Sequence, residues 1–104
     1  MVDPSSPPAS LRGAQRKWLR ARAHPLRPVV QVGDKGVSPA VIRAVDEALA
    51  DHELVKVRLV TPPDKKTMAK ELADATHSHL CGVVGHTVIL FRPDPEDPQI
   101  ELPR

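Results

Sequence analysis

The chain has 104 residues and a formal net charge of +2, which leaves room for one small domain. No apolar run approaches the roughly 20 residues of a membrane span, and the N-terminal segment lacks the basic and apolar regions of a secretory signal. The single cysteine, Cys81, excludes an intramolecular disulfide and a zinc site made of several cysteines. We therefore expect a cytoplasmic protein with no membrane association.

The uneven spread of proline suggests where the domain begins and ends. Seven of the twelve prolines lie in residues 1–8 and 93–104. Residues 1–9 are expected to be a disordered leader, residues 10–93 the folded domain, and residues 94–104 an acidic, proline-rich tail. A domain of this size has little room for a deep cofactor cleft, so the size favours a binding module without a cofactor over an enzyme.

The first predicted element is a basic helix. Ser10 is a suitable N-cap for a helix from about Leu11 to Ala21. Helical spacing places Leu11, Ala14 and Trp18 on a core-facing side, with Leu19 at its margin. A separate sector carries the basic residues Arg12, Arg16, Lys17 and Arg20. Residues 12–36 have a formal charge of +6, which attracts a polyanion, although a basic helix face kept for solubility is the simpler alternative.

The remaining pattern alternates strands and helices. The β-branched run at residues 29–32 predicts a strand, and Ser38-Pro39 opens a helix that extends to about Asp51. Residues 54–60 alternate as a second strand, and Asp64 caps a helix over residues 65–76. Residues 80–84 and 87–92 form a hairpin around Gly85-His86. The order predicts an α/β fold with a mixed four-stranded sheet and helices packed on it.

The loop between the first strand and the second helix is a candidate anion site. Gly33, Asp34, Lys35 and Gly36 form a GxxG loop directly before a helix. Glycine lets backbone amides approach a phosphate closely, and a helix N-terminus favours negative charge. By itself a GxxG loop is also a common tight turn. The basic helix in the same segment strengthens the phosphate-binding interpretation.

Other chemistry-bearing residues give weaker signals. His77, His79, Cys81 and His86 are residue types that bind zinc, but the end of a helix near His77 disturbs the alternation that would align them. Cys81 lies in an apolar strand, where a small core residue is the usual outcome. The carboxylates near the end of the second helix, Glu53 among them, are expected to be solvated. We therefore expect no metal and no catalytic residue.

Four stretches of the chain match a known family pattern. They are Leu19-Arg20 with residues 23–30, residues 32–37, Ala48-Leu49 with residues 52–57, and residues 84–87 with residues 90–93. On these stretches the sequence resembles the YhbY-like bacterial proteins, the single-domain form of the CRM (chloroplast RNA splicing and ribosome maturation) domain. The resemblance covers roughly residues 10–93.

The resemblance implies an α-β-α-β-α-β-β fold similar to the C-terminal domain of bacterial translation initiation factor three. It implies a non-catalytic RNA-binding protein that acts on ribosomal RNA in precursors of the large ribosomal subunit during ribosome biogenesis. We expect a monomer. The alternatives are a protein-binding module of the translation machinery that uses the basic helix, and a small enzyme that uses Cys81 or the histidines.

The expected RNA-binding residues follow from the loop, the basic helix and the family pattern. Two departures from that pattern concern the hairpin: Phe91 lacks the hydroxyl of the tyrosine common in relatives, and His86 replaces a lysine or arginine, so its charge depends on pH. The full expected set is Gly33, Asp34, Lys35, Gly36, Arg12, Arg16, Lys17, Arg20, Arg27, Lys56, Arg58 and Arg92.

Overall fold

The computed structural model describes residues 11–103, in which helices and strands follow the predicted order. The predicted leader and Ser10 lie outside the described residues, but the first helix begins at Gly13 with Arg12 as its N-cap, so the predicted start at Leu11 with a Ser10 cap is wrong. Among the helices of residues 11–103, none has the length and apolar character to cross a membrane. The elements are α1 (Gly13–Ala23), β1 (Val30–Val32), α2 (Pro39–His52), β2 (Leu54–Leu59), α3 (Lys65–Ala75), β3 (His79–Val84) and β4 (Thr87–Phe91).

The four strands form one mixed sheet in the order β1-β2-β4-β3. β1 runs parallel to β2, with Val30 opposite Val57, and β4 runs antiparallel to both β2 and β3. β1 and β2 therefore end at the same edge of the sheet. The β3–β4 turn reaches this edge too, since the Leu59 N–H donates to the His86 carbonyl at 2.7 Å. We call this side, where residues 33–36, 60–64 and 85–86 meet, the loop edge.

The helices lie on both faces of the sheet. α2 and α3 cover one face, where Val45, Leu49 and Leu72 pack against alternate residues of β2 and β4. α1 covers the other face and buries Leu19 and Ala23 against a second cluster that includes Phe91. Since both faces are buried, the sequence of β4 is almost continuously apolar. The predicted fold class is confirmed.

The side chains predicted to cap α2 and α3 do so. The Ser38 hydroxyl accepts a hydrogen bond from the Val41 N–H at 3.3 Å, and Pro39 occupies the first helical position. Asp64 accepts bonds from both the Thr67 hydroxyl and the Thr67 N–H, which lower the pKa of its carboxyl below the ordinary value. These two caps determine where the chain turns at the loop edge.

The C-terminal segment packs against the domain, although the sequence pattern places the end of the folded domain at residue 93. Glu53 is only 3% exposed, so its expected solvation is wrong. Its carboxylate accepts hydrogen bonds from the backbone N–H groups of Asp94, Gln99 and Ile100 at 2.6, 2.9 and 2.9 Å. Ile100 and Leu102 then cover the cluster under α1. The charge pattern of the tail predicts exposure, whereas its two apolar side chains and one buried acceptor hold it in place.

Candidate nucleic-acid interface

The GxxG loop is an exposed tight turn at the loop edge. The Gly36 N–H donates to the Gly33 carbonyl at 3.0 Å, and Gly36 has a φ of 68°, a left-handed conformation that glycine adopts without strain. Gly33 is different, because its φ is not positive, and a Cβ placed there would meet no other atom within 4 Å. Packing therefore does not require glycine at position 33, and the missing side chain leaves open space above the backbone.

Two backbone donors of this loop are available. Within residues 11–103, the N–H groups of Asp34 and Lys35 have no hydrogen-bond acceptor. They precede the N-terminus of the 14-residue helix α2, whose peptide dipoles contribute partial positive charge at this end. The Lys35 side chain is exposed beside them. This combination of free N–H groups, helix terminus and ammonium group favours an anion such as a phosphate.

Further cations share the loop edge. Arg58 is exposed on β2, in register with Gln31 of β1 and Thr87 of β4. Lys65 donates to the Gly85 carbonyl at 3.0 Å, which brings the start of α3 to the β3–β4 turn, and the neighbouring Lys66 is exposed. Sequence reasoning did not select these two lysines, although their position directly after the Asp64 cap was a signal that they extend from a helix N-terminus.

Two arginines of α1 face the sheet, contrary to the predicted helical faces. Leu19 and Ala23 are fully buried, and Arg20 beside them donates to the Cys81 carbonyl at 2.7 Å. Arg16 donates to the Leu11 carbonyl. A β-bulge between Leu80 and Gly82 explains this orientation, because Cys81 is the extra residue and glycine at position 82 leaves room for the Arg20 stem.

Trp18 is only half-buried instead of central to the core. It packs at the margin of the cluster under α1, together with Ile100 and Leu102. The Arg22 guanidinium lies over its ring at 5.4 Å from the centroid, a cation–π contact. Ala14, which was expected on the buried side, is exposed. The buried face of α1 is therefore rotated away from the face that apolar spacing predicts.

Lys56 and Arg92 also donate hydrogen bonds to other residues of the protein. The Lys56 ammonium donates to the carbonyls of His24 and Leu26, both at 3.1 Å, and so fastens the α1–β1 connection to the sheet. Arg92 forms an ion pair with Asp46 at 2.6 Å and donates to the Thr76 carbonyl at 2.8 Å. These bonds occupy two of the three donors of Lys56 and three of the five donors of Arg92.

The remaining predicted cations are exposed but lie elsewhere. Arg12 precedes α1 and Lys17 lies on it, on the face of the sheet opposite α2. Arg27 lines a groove of about 530 Å³, together with Arg22 and residues at the end of α2. Arg58 alternates with Val57 and Leu59, which pack under α2 and α3, so its side chain lies on the α1 face of the sheet. The structure therefore groups Lys35 with the GxxG loop and places Arg58 near the loop edge, on the same face of the sheet as the α1 cations.

Burial shifts the pKa values of Cys81 and His79 toward their neutral forms. Burial raises the pKa of the Cys81 thiol to about 12, so the nucleophilic thiolate is scarce near neutral pH. Burial likewise lowers the pKa of His79, and the nearby Arg16 charge adds to this effect. Within residues 11–103, no three His, Cys, Asp or Glu side chains come close enough to hold a metal ion. Phe91 is buried and stacked on His79, so its ring is not available to a ligand.

Comparisons with known proteins extend over the whole α/β unit. A family model described as the CRS1 / YhbY (CRM) domain matches residues 11–92. The chain is 39% identical over 95 residues to "Probable RNA-binding protein YqeI" of Bacillus subtilis, covering 89% of this chain and 99% of that protein. It is 34% identical over 98 residues to "RNA-binding protein" of Haemophilus influenzae, covering 91% and 97% of the two chains.

A solved structure has the same architecture. The solution structure of the hypothetical protein SAV1595 from Staphylococcus aureus superposes with a TM-score of 0.80 at 36% sequence identity, covering 90% of this chain and 100% of that chain. A relative in Methanocaldococcus jannaschii, "Probable RNA-binding protein MJ0652", is 42% identical over 87 residues, which cover 80% of this chain and 64% of that protein. The resemblance inferred from the sequence is confirmed.

Proposed function

Because the chain belongs to the CRS1 / YhbY (CRM) domain family, we propose that it is a non-catalytic, cytoplasmic RNA-binding protein. Relatives of nearly full-length similarity carry the name RNA-binding protein. The observation that carries the proposal is the GxxG loop, where two unused backbone N–H groups and Lys35 meet at the N-terminus of α2. This group of donors fits the phosphate backbone of RNA.

The finer proposal is that the RNA is ribosomal RNA in precursors of the large ribosomal subunit, bound by a monomer of this chain. It rests on the family resemblance of residues 11–92. Contacts of the loop with phosphates position the protein without reading base sequence. Mapping of RNA crosslinks in cells tests this part of the proposal, and crosslinks confined to messenger RNA would contradict it.

Electrostatic attraction supplies most of the affinity in this proposal. Lys35, Arg58 and Lys66 are exposed around the loop, and Lys65 lies beside them. Four phosphate contacts on a single strand predict a slope of roughly −2 to −3 in a plot of log affinity against log salt. Lys35→Gln is expected to reduce that slope by about 0.7. An affinity that does not change with salt would contradict the electrostatic mechanism.

Gly33 provides the sharper test of the loop. A substitution at Gly36 strains a left-handed backbone position, so lost binding there does not separate contact from folding. Gly33 has no such conformation, and a Cβ there meets no other atom within 4 Å. We expect Gly33→Asp to weaken RNA binding by at least about tenfold through repulsion of phosphate, with an unchanged melting temperature.

The matched control is Gly33→Asn, which has nearly the same bulk without the charge. It is expected to weaken binding clearly less than Gly33→Asp, and equal affinities of the two variants would contradict phosphate contact at this loop. A pull-down with and without ribonuclease tests the alternative of a protein-binding module. Partners that remain after ribonuclease treatment would favour that alternative, although the inward orientation of Arg16 and Arg20 leaves α1 fewer cations for an acidic protein.

A further inference from the structure

A cleft opens next to the GxxG loop, between that loop and α3. Its volume is about 280 Å³, and residues 33–36 form one wall. Val37, Val60 and Met68 provide an apolar lining, and Thr61 and Glu71 add polar groups to it. A nucleotide whose phosphate meets the loop would therefore have this cleft beside its base.

The size and lining of the cleft suit one planar, partly apolar group. Its volume lies just below the roughly 300–1,000 Å³ typical of small-molecule sites, so it suits a fragment such as one nucleobase. Apolar side chains with a few polar groups at the border are the usual surroundings of such a ligand. RNA-binding proteins commonly take up unstacked bases in this way and read them by their hydrogen-bonding edges.

The carboxylate of Glu71 indicates which kind of base edge fits. Lys35 and Asp34 line the same cleft and their opposite charges offset each other, so the Glu71 carboxylate leaves a net negative charge there. In the described part of the chain, the only ion pair joins Arg92 and Asp46, and the Glu71 side chain makes no hydrogen bond. The carboxylate is therefore free to accept hydrogen bonds from a ligand.

Guanine matches this acceptor best among the four bases. A carboxylate accepts only, and its two oxygens can take two parallel hydrogen bonds. Guanine has two adjacent donors on its Watson–Crick edge, the N1–H and the 2-amino group. Uracil has one donor flanked by two carbonyl oxygens, which a carboxylate repels. Adenine and cytosine each have one amino group next to an acceptor nitrogen.

We propose that this cleft binds a guanine base of RNA, with Glu71 accepting hydrogen bonds from its N1–H and 2-amino groups. This inference rests on the proposed function, because the phosphate of the same nucleotide contacts the GxxG loop. Glu71 is then the residue that determines base specificity. The loop provides affinity that does not depend on sequence.

The test measures the affinity of the full chain for labelled single-stranded RNA by fluorescence anisotropy. The probes are uridine oligomers of about 12 nucleotides, a length within the range of common single-strand sites, with either no guanosine, one guanosine or one inosine. The guanosine probe is expected to bind roughly 5- to 100-fold more tightly than the all-uridine probe. Inosine, which lacks the 2-amino group, is expected to lose most of that advantage.

The variants assign the preference to Glu71. Glu71→Gln is expected to bring the guanosine and all-uridine probes to nearly equal affinity while the all-uridine affinity stays the same or rises, since a negative charge is removed. Glu47→Gln, at an exposed carboxylate of α2, is the matched control and is expected to keep the preference. Both positions are exposed, so their melting temperatures are expected to match the wild type.

The possible failures are distinguishable. If all probes bind equally in a salt-dependent manner that Gly33→Asp weakens, the guanine site is refuted and the proposed function stands. If a guanosine preference persists in Glu71→Gln, the role of Glu71 is refuted. If no probe binds at low salt, the proposed function itself fails.

Discussion

Replacement of Glu53 by glutamine is expected to release the C-terminal segment from the domain. Glu53 is a non-glycine residue with a φ of 60° and a ψ of −43°, a sparsely populated conformation that costs about 1–3 kcal/mol. Its side chain offsets this cost, because Oε1 accepts the N–H groups of Gln99 and Ile100, and Oε2 accepts that of Asp94. The carboxylate thus joins the end of α2 to three points of the tail.

The expected magnitude follows from these three bonds. A hydrogen bond to a charged group contributes about 1.5–3 kcal/mol. The glutamine amide oxygen can still accept the N–H groups of Gln99 and Ile100. Its NH₂ group, however, would face the N–H of Asp94, so one hydrogen bond is lost and two donors point at each other. With weakening of the other two bonds, we expect Glu53→Gln to lower the free energy of unfolding by about 2–4 kcal/mol.

The assay is urea unfolding of a double-mutant cycle. Glu53→Gln is measured in the full chain and in a chain that ends at Pro93, where none of the three donors remains. In the shortened chain, Glu53→Gln is expected to lower the free energy of unfolding by less than about 0.5 kcal/mol. The effects of the substitution and of the truncation are then strongly non-additive. Faster amide exchange at Gln99 and Ile100 in the full-length variant would accompany the loss. An equal cost in both chains would refute the assignment of Glu53 to the tail.

Three further residues allow tests of the packing described above. Gly82→Ala is expected to destabilise the fold by about 1–3 kcal/mol, because its Cβ would lie 2.6 Å from Cδ of Arg20; a smaller cost in an Arg20→Ala background, measured by urea unfolding, would confirm that contact. Arg92→Gln is expected to lower stability by about 1–3 kcal/mol while leaving the salt slope of RNA binding unchanged, and a reduction like that of Lys35→Gln would contradict its internal role. Cys81 is expected to react with iodoacetamide at about pH 8 at least about 100-fold more slowly in the folded protein than in urea, because burial raises the pKa of its thiol to about 12. Since the folded state retains this proton, the free energy of unfolding should fall as the pH rises above the ordinary thiol value of 9.0, and Cys81→Ala should remove that part of the decline.

The local features of the fold were predictable from the sequence. Ser38 and Asp64 cap the helices that follow them. In β2, Val55 and Val57 alternate with Lys56, which indicates which side chains lie on each face of the sheet. Each of these signals arises within a few residues of backbone, where capping geometry and side-chain period act directly. The GxxG loop belongs to the same class, because glycine spacing and a following helix define it.

The predicted face of α1 shows the limit of such reasoning. Apolar spacing favoured Leu11, Ala14 and Trp18, and it counted arginine only as a charge. The aliphatic stem of Arg20 packs against the sheet and its guanidinium finds a carbonyl, so a basic residue takes part in the buried face. Nothing within one turn of the helix indicates that a bulge at Cys81 will provide the carbonyl to which Arg20 donates.

The sequence by itself determined the order of elements, the mixed sheet, the family and the position of the GxxG loop before α2. Only the tertiary structure decided which cations remain free for a ligand and which carboxylates are buried. Arg20 is bonded to a carbonyl 61 positions away, and Glu53 to an amide 47 positions away. The availability of a charged side chain depends on the backbone groups that folding brings beside it, and these come from distant parts of the chain.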